Sequence, residues 1–159
     1  MHGITIRVAL LEDVVAMAEL RLASGWEGGA EAGTMRRYLA GEHHPQHALA
    51  PRAAFLAESS GTIVGYIAGH RTTRFGCAGE LQWLLVAQAQ RGGPAAALLL
   101  AALANWFVAQ GVARVCVNVA PDNAPARRFY ARYGAARLSE FWMAWPDVAA
   151  AARPRDHAA

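Results

Sequence analysis

The unbroken apolar run at residues 95–104 constrains this chain more than any other stretch. It ends at Asn105 and falls short of the roughly 20 residues a helix needs to cross a bilayer. The expected outcome is a helix buried inside a protein core, with no membrane partner. At 159 residues, 55% hydrophobic and 17% charged, the chain can surround such a helix and lies outside the compositions that stay disordered. A globule of this length buries roughly 68–70% of its unfolded surface, so neither disulfides nor a structural metal is required. Residues 1–148 are expected to form one domain, and residues 149–159, mostly alanine, a flexible C-terminal tail.

Charge excludes further classes. All 15 basic residues are arginine, and 12 acidic ones leave a net charge of +3 spread along the chain. A nucleic-acid partner would call for a basic stripe. The one local cluster, Arg127, Arg128 and Arg132, falls on an expected helix and reads as a solvated face. Cys77 and Cys116 lack metal-ligand spacing and read as buried thiols. His43, His44 and His47 surround Pro45, which breaks the helix that would align them as ligands, so no metal site is expected. Met1-His2-Gly3 lacks the charged and apolar segments of a secretory signal, and the expected compartment is cytoplasmic.

Periodicity sets the order of elements. Residues 4–9 alternate as a strand, and Glu12-Asp13 opens a helical pattern through Leu22. A glycine-rich loop around Trp26 precedes a short helix at 35–39. Residues 53–58, a Ser59-Ser60-Gly61 turn and residues 63–70 read as a hairpin. A strand at 80–86 leads through Arg91-Gly92-Gly93-Pro94 into a helix from Ala95 to about Gln110, capped by Gly111. Residues 112–119 form a buried strand, Asp122 or Asn123 caps a helix through Tyr133, and residues 137–144 are the last strand. The sum is an α/β domain with a mixed sheet. Without a bulge, alternation puts Glu80, Gln82, Leu84 and Val86 on one face, and Leu81, Trp83 and Leu85 on the other.

The strand, glycine turn and long helix carry the clearest chemistry. A helix N-terminus presents unpaired N–H groups and about half a positive charge, which together hold a phosphate without any side chain. Gly92, Gly93, Ala95 and Ala96 leave that end uncluttered, and Pro94 suits the first helical position. Downstream, residues 122–135 fit Asn-x-x-Ala-x-x-Phe-Tyr-x-x-x-Gly without a gap, from Asn123 through Ala126, Phe129 and Tyr130 to Gly134. Together with Leu84-Leu85-Val86 and Arg91-Gly92-Gly93-x-Ala95-Ala96, this resembles the GNAT superfamily of acyl-coenzyme A-dependent N-acetyltransferases. The resemblance spans residues 4–145 and is strongest over 79–134.

The resemblance implies an α/β (α+β) fold with a mixed, mostly antiparallel central sheet and helices on both faces. It also implies an acyltransferase that moves an acetyl group from acetyl-CoA (acetyl-coenzyme A) to a primary amine of a small molecule or peptide by direct attack. The strand at Leu84, Leu85 and Val86 should splay from its neighbour and pair with the cofactor's pantetheine arm. Arg91, Gly92, Gly93, Ala95, Ala96 and Ala97 should cradle its pyrophosphate, with Asn123 helping at the next helix start. Asn123 also fits an ordinary helix cap. Counted five residues on from Val86, the family's phosphate loop runs from Arg91 to Ala96 and puts a glycine where this chain has Pro94, which removes one N–H; a register one residue earlier, Gln90 to Ala95, would put Gly93 there but falls one residue short of that distance. Tyr130 matches the tyrosine that returns a proton to the leaving thiolate, and its reference pKa near 10 keeps it a donor. Glu80 matches the place where some members carry a general base, roughly 13 Å along the strand from Leu84, so it would act through water or on an extended amine. Where others carry a base on the next strand, this chain has Asn118; His70 and Glu140 remain outside the pattern. The Trp26 region, residues 43–51 and residues 71–77 should shape the acceptor pocket. The alternatives are a non-catalytic acyl-coenzyme A sensor and an RNA-directed acetyltransferase. Exposed strand edges leave room for a homodimer.

Overall fold

A computed structural model describes residues 3–24, 32–45 and 47–153. Its frame is a seven-stranded sheet in the order β1-β2-β3-β4-β5-β7-β6. In chain order the elements are β1 (Ile4–Val8), α1 (Val14–Ala23), α2 (Ala32–Leu39), β2 (Leu49–Ser59), β3 (Thr62–Arg71), β4 (Gly79–Val86), α3 (Ala95–Ala109), β5 (Val115–Asn118), α4 (Ala124–Arg132), β6 (Ala136–Ser139) and β7 (Trp142–Trp145). All neighbours run antiparallel except β4 and β5. That parallel pair needs a crossover, which α3 supplies.

The apolar run becomes α3, as its composition demands. Leu99, Leu100, Leu103 and Phe107 are buried and join Ile67, Leu81 and Val117 of the sheet with Tyr130 of α4 and Tyr133 just after it in one core. Contact is close enough to dictate residue size: a Cβ on Gly79 would lie 2.5 Å from the Phe107 ring. The opposite sheet face is closed by α1 and α2 through Val14, Met17, Met35 and Tyr38, packed with Leu56 and Tyr66. Among the described residues no helix is long and apolar enough to cross a membrane.

The sheet departs from the sequence reading where it matters most. Opposite β3, Ala68 pairs with Trp83 but Gly69 pairs with Leu81, so Gln82 is an extra residue in β4. Such a bulge resets the alternation. Leu81, Leu84 and Val86 all pack toward α3, whereas Trp83 and Leu85 pack toward α1 and α2. The expected grouping of Glu80 with Leu84 and Val86, and of Leu81 with Trp83 and Leu85, is therefore corrected.

Three boundaries also move. The final expected strand is a hairpin, β6 and β7, turning at Glu140-Phe141. The strand expected over 112–119 keeps only Val115–Asn118. Residues 149–151, expected to open the tail, form a 3₁₀ turn together with Val148, with Val148 and Ala151 buried, and Asn105 Nδ2 donates to the Ala152 carbonyl at 3.0 Å. The Trp26 loop and residues 154–159 lie outside the described residues.

Candidate active site

The site begins where two strands part. β4 and β5 pair only at Gly79–Val115, Glu80–Cys116 and Leu81–Val117. Beyond Leu81 β4 has no β5 partner, although residues 83–86 remain paired with β3, and its backbone polar groups on the β5 side are left open. The bulge turns the strand at the point of separation. Between the parting strands lies a cavity of about 550 Å³. Leu84 and Leu85 line it from β4, Asn118 from β5, and Asn123 and Tyr130 from the start and the body of α4.

After the open end of β4 the chain enters the turn that precedes α3. Gly92 there has φ +84, a left-handed conformation that glycine adopts without strain. Among the described residues no atom lies within 4 Å of where a Gly92 Cβ would stand. Arg91, Gly92 and Gly93 are exposed and Ala96 is half-buried, whereas Ala95 and Ala97 are buried in the core. The turn spends two amides on itself: Arg91 N–H donates to the Gln88 carbonyl at 3.2 Å and Gly93 N–H to Gln90 at 3.1 Å. Pro94 precedes the first helical residue and has no N–H to give. Val86 and residues 91–97 are not part of the cavity wall, so the expected donor residues divide between the cavity and this turn.

Tyr130 is buried, with its ring edge-on to Trp145 at 5.5 Å between centroids. Burial pushes its hydroxyl pKa up, so it keeps its proton at neutral pH. Asn123 caps α4, its Oδ1 accepting from Ala126 N–H at 3.2 Å, as its residue type alone allows. Arg127, expected on a solvated face, instead turns inward. Its guanidinium donates to the carbonyls of Val119 at 3.1 Å and Ala120 at 3.2 Å, and to that of Glu140. It ties the β5–α4 loop to the β6–β7 turn.

Glu80 lies at the paired end of the cavity wall and is buried. Arg74 Nε donates to its Oε1 at 2.8 Å, and Cys116 Sγ approaches the same oxygen at 3.9 Å. Burial raises the Glu80 pKa, and Arg74 works against that rise. Of the segments expected to shape the acceptor end, residues 71–77 supply Arg74, whose guanidinium lies 4.6 Å above the Trp142 ring. Trp83 and Trp142 also line the cavity. Sequence reasoning left Arg74 without a role and His70 outside the site; both meet Glu80 only because β3, β4 and the 74–76 turn converge. Both cysteines are free and buried, as expected.

Comparison with known proteins agrees with this geometry. The model of the acetyltransferase (GNAT) family matches residues 11–135. No curated protein matches the chain. Among solved structures, a protein assigned to the GNAT family from Desulfovibrio desulfuricans shares 19% identity at a TM-score of 0.74, covering 92% of this chain and 99% of that one. The ribosomal-protein-S18-alanine N-acetyltransferase from Escherichia coli shares 16% identity at 0.70, covering 91% and 94%. The PaiA N-acetyltransferase from Thermoplasma acidophilum, solved with coenzyme A, shares 16% at 0.64, covering 90% and 98%. At these identities the likeness is one of fold, and it bears out the mixed, mostly antiparallel sheet flanked by helices.

Proposed function

Because the chain belongs to the acetyltransferase (GNAT) family, we propose that it is an N-acetyltransferase carrying the acetyl group of acetyl-coenzyme A to a primary amine of a small molecule or peptide by direct attack. The observation that carries this reading is the parting of β4 from β5 after Leu81, beside Tyr130. A neighbour of the same fold holds coenzyme A, and the residues here suit that molecule. Exposed Gly92 and Gly93, half-buried Ala96 and the helix dipole of α3 favour a pyrophosphate. Ala95 and Ala97 seat that turn against the core, Arg91 adds positive charge, and the open edge at Leu84, Leu85 and Val86 suits the pantetheine amides. Bound acetyl-coenzyme A would supply the activated acetyl thioester.

The chain's own residues handle protons and position. A free alkylamine is mostly protonated near pH 7 and must lose a proton before it attacks. In this reading Glu80, whose Oε1 accepts a hydrogen bond from Arg74, takes up that proton through one water or directly from an extended amine. Tyr130 keeps its proton until the thiolate leaves, then donates it. Asn123 sets the start of α4 and with it the direction from which Tyr130 enters. Trp83 and Trp142 suit an apolar or aromatic acceptor. We place the activity in the cytoplasm, in keeping with free Cys77 and Cys116. The sheet edges β1 and β6 are the surfaces a homodimer would use.

Pro94 favours a second reading, an acyl-coenzyme A sensor without turnover, since one phosphate-directed N–H is absent. A screen of small-molecule and peptide amines, read by release of free thiol from acetyl-coenzyme A, separates the two. The acetyltransferase predicts acceptor-dependent release that Tyr130→Phe suppresses. Tight binding with no release for any amine selects the sensor.

A further inference from the structure

Behind Glu80 runs a buried chain of polar side chains that the proposed reaction has not used. His70 of β3 stands opposite Glu80 in the sheet register and has no exposed surface. Its Nδ1 lies 2.7 Å from the hydroxyl of Tyr38 on α2. Its Nε2 points the other way, 3.8 Å from Glu80 Oε2, and makes no hydrogen bond among the described residues. A fully buried polar nitrogen aimed at a carboxylate is costly unless the two work together.

The direction of the protons follows from the neighbours. Burial drives the Tyr38 pKa up, so its hydroxyl keeps its hydrogen. If that hydroxyl donates to Nδ1, the imidazole carries its hydrogen on Nε2, facing Glu80. The opposite tautomer would set an Nε2 lone pair against a carboxylate oxygen, which is repulsive. Burial, then Arg52 and Arg74, lower the His70 pKa to about 4, so the ring is neutral over the working range and the choice between tautomers is a real one. Arg52 sits over the Tyr38 ring at 4.5 Å and donates to the Tyr38 carbonyl, which fixes the far end of the chain.

We propose that Tyr38 and His70 are positioning residues for Glu80: the Tyr38 hydroxyl donates to His70 Nδ1, this fixes the Nε2–H tautomer, and that N–H holds Oε2 in place while Arg74 holds Oε1. The carboxylate is thereby gripped from both sides at the paired end of the β4–β5 gap. A movement that closes 3.8 Å to about 2.9 Å completes the bond. The inference rests on Glu80 as the base. The groups facing Glu80 are Arg74 from the 74–76 turn, His70 of β3, Cys116 of β5 and His47 from the segment before β2, with Tyr38 of α2 beyond His70.

The direct test is long-range ¹⁵N–¹H NMR of the imidazoles in the full chain, with ¹³C titration of the Glu80 carboxyl. The proposal predicts Nε2-protonated His70 between pH 5 and 8, roughly its neutral range. It predicts that His70→Leu raises the Glu80 pKa by about one unit, a tenfold gain in proton affinity, and that His70→Gln, which restores an N–H near Oε2, returns most of it. Tyr38→Phe removes only the hydroxyl that donates to Nδ1, which leaves the Glu80 carboxylate alone to select Nε2–H, and should raise the population of the Nδ1 tautomer even if His70→Leu fails to fold. A His70 protonated on Nδ1 in the wild type overturns the proposal, as does a folded His70→Leu whose Glu80 titration is unmoved. Neither readout needs an acceptor. Absence of thiol release for every amine would remove the acetyltransferase while leaving the tautomer result standing; release together with an Nδ1 tautomer would remove only the positioning role.

Discussion

Tyr130 and His70 are buried side chains with opposite histories in the sequence. Tyr130 is marked by the spacing from Asn123 to Gly134, and its burial keeps it protonated, as the proposed donor role requires. Tyr130→Phe should lower kcat by about a hundredfold or more, the usual range for a lost general acid, while the Kd for acetyl-coenzyme A changes little. Steady-state kinetics beside a binding titration check this. His70 carries no such mark, since a lone histidine in a strand announces nothing until Tyr38, Arg74 and Glu80 are brought from other elements. Its depressed pKa has a consequence for stability. Between about pH 6.5 and 4 the unfolded chain binds a proton on His70 and the folded chain does not, so stability is lost as pH falls through that window. The loss from His70 is on the order of 3 kcal/mol. Denaturant unfolding at pH 7 and pH 4.5 should show it, and His70→Gln should flatten the slope. The lowered Asp13 carboxyl, paired with Arg7, adds acid sensitivity below the ordinary aspartate range that the His70 variant leaves intact.

At the scale of elements, β4 and α3 decide both packing and site. Gly79→Ala would push a Cβ into the Phe107 ring, and chemical denaturation should register a loss of about 1–3 kcal/mol. A stability unchanged within a few tenths would mean that α3 sits farther from the sheet. The turn before α3 gives the converse experiment. Pro94→Gly restores a backbone N–H beside Gly92 and Gly93, and one charge-assisted hydrogen bond is worth roughly 1.5–3 kcal/mol. Acetyl-coenzyme A affinity should therefore tighten about tenfold or more; an unchanged Kd would place the diphosphate elsewhere. The residues of α3, its Gly111 stop and the Asn123 cap were legible because composition and punctuation act locally. The faces of β4 were not. Alternation failed at Gln82, and a bulge depends on how a strand meets its partner rather than on its own residues.

For the molecule as a whole, the order of strands and helices was readable because each apolar segment has its own period and its own stop. The division of the C-terminal strand into β6 and β7, and the docking of Val148 and Ala151 on the core, were not. Both depend on contacts with distant elements: β7 with β5, and Ala152 with Asn105 of α3. The family motif puts the glycine turn before α3 and Tyr130 on α4 in chain order, and we propose that acetyl-coenzyme A unites the gap after Leu81, the bare turn at Gly92 and the hydroxyl of Tyr130. That union is the central claim, and calorimetric titration of acetyl-coenzyme A into the folded chain tests it most directly. The account predicts saturable binding at one site per chain, weakened when Gly92 is replaced by a bulky residue. A flat titration at millimolar acetyl-coenzyme A, from protein shown to be folded, would contradict it.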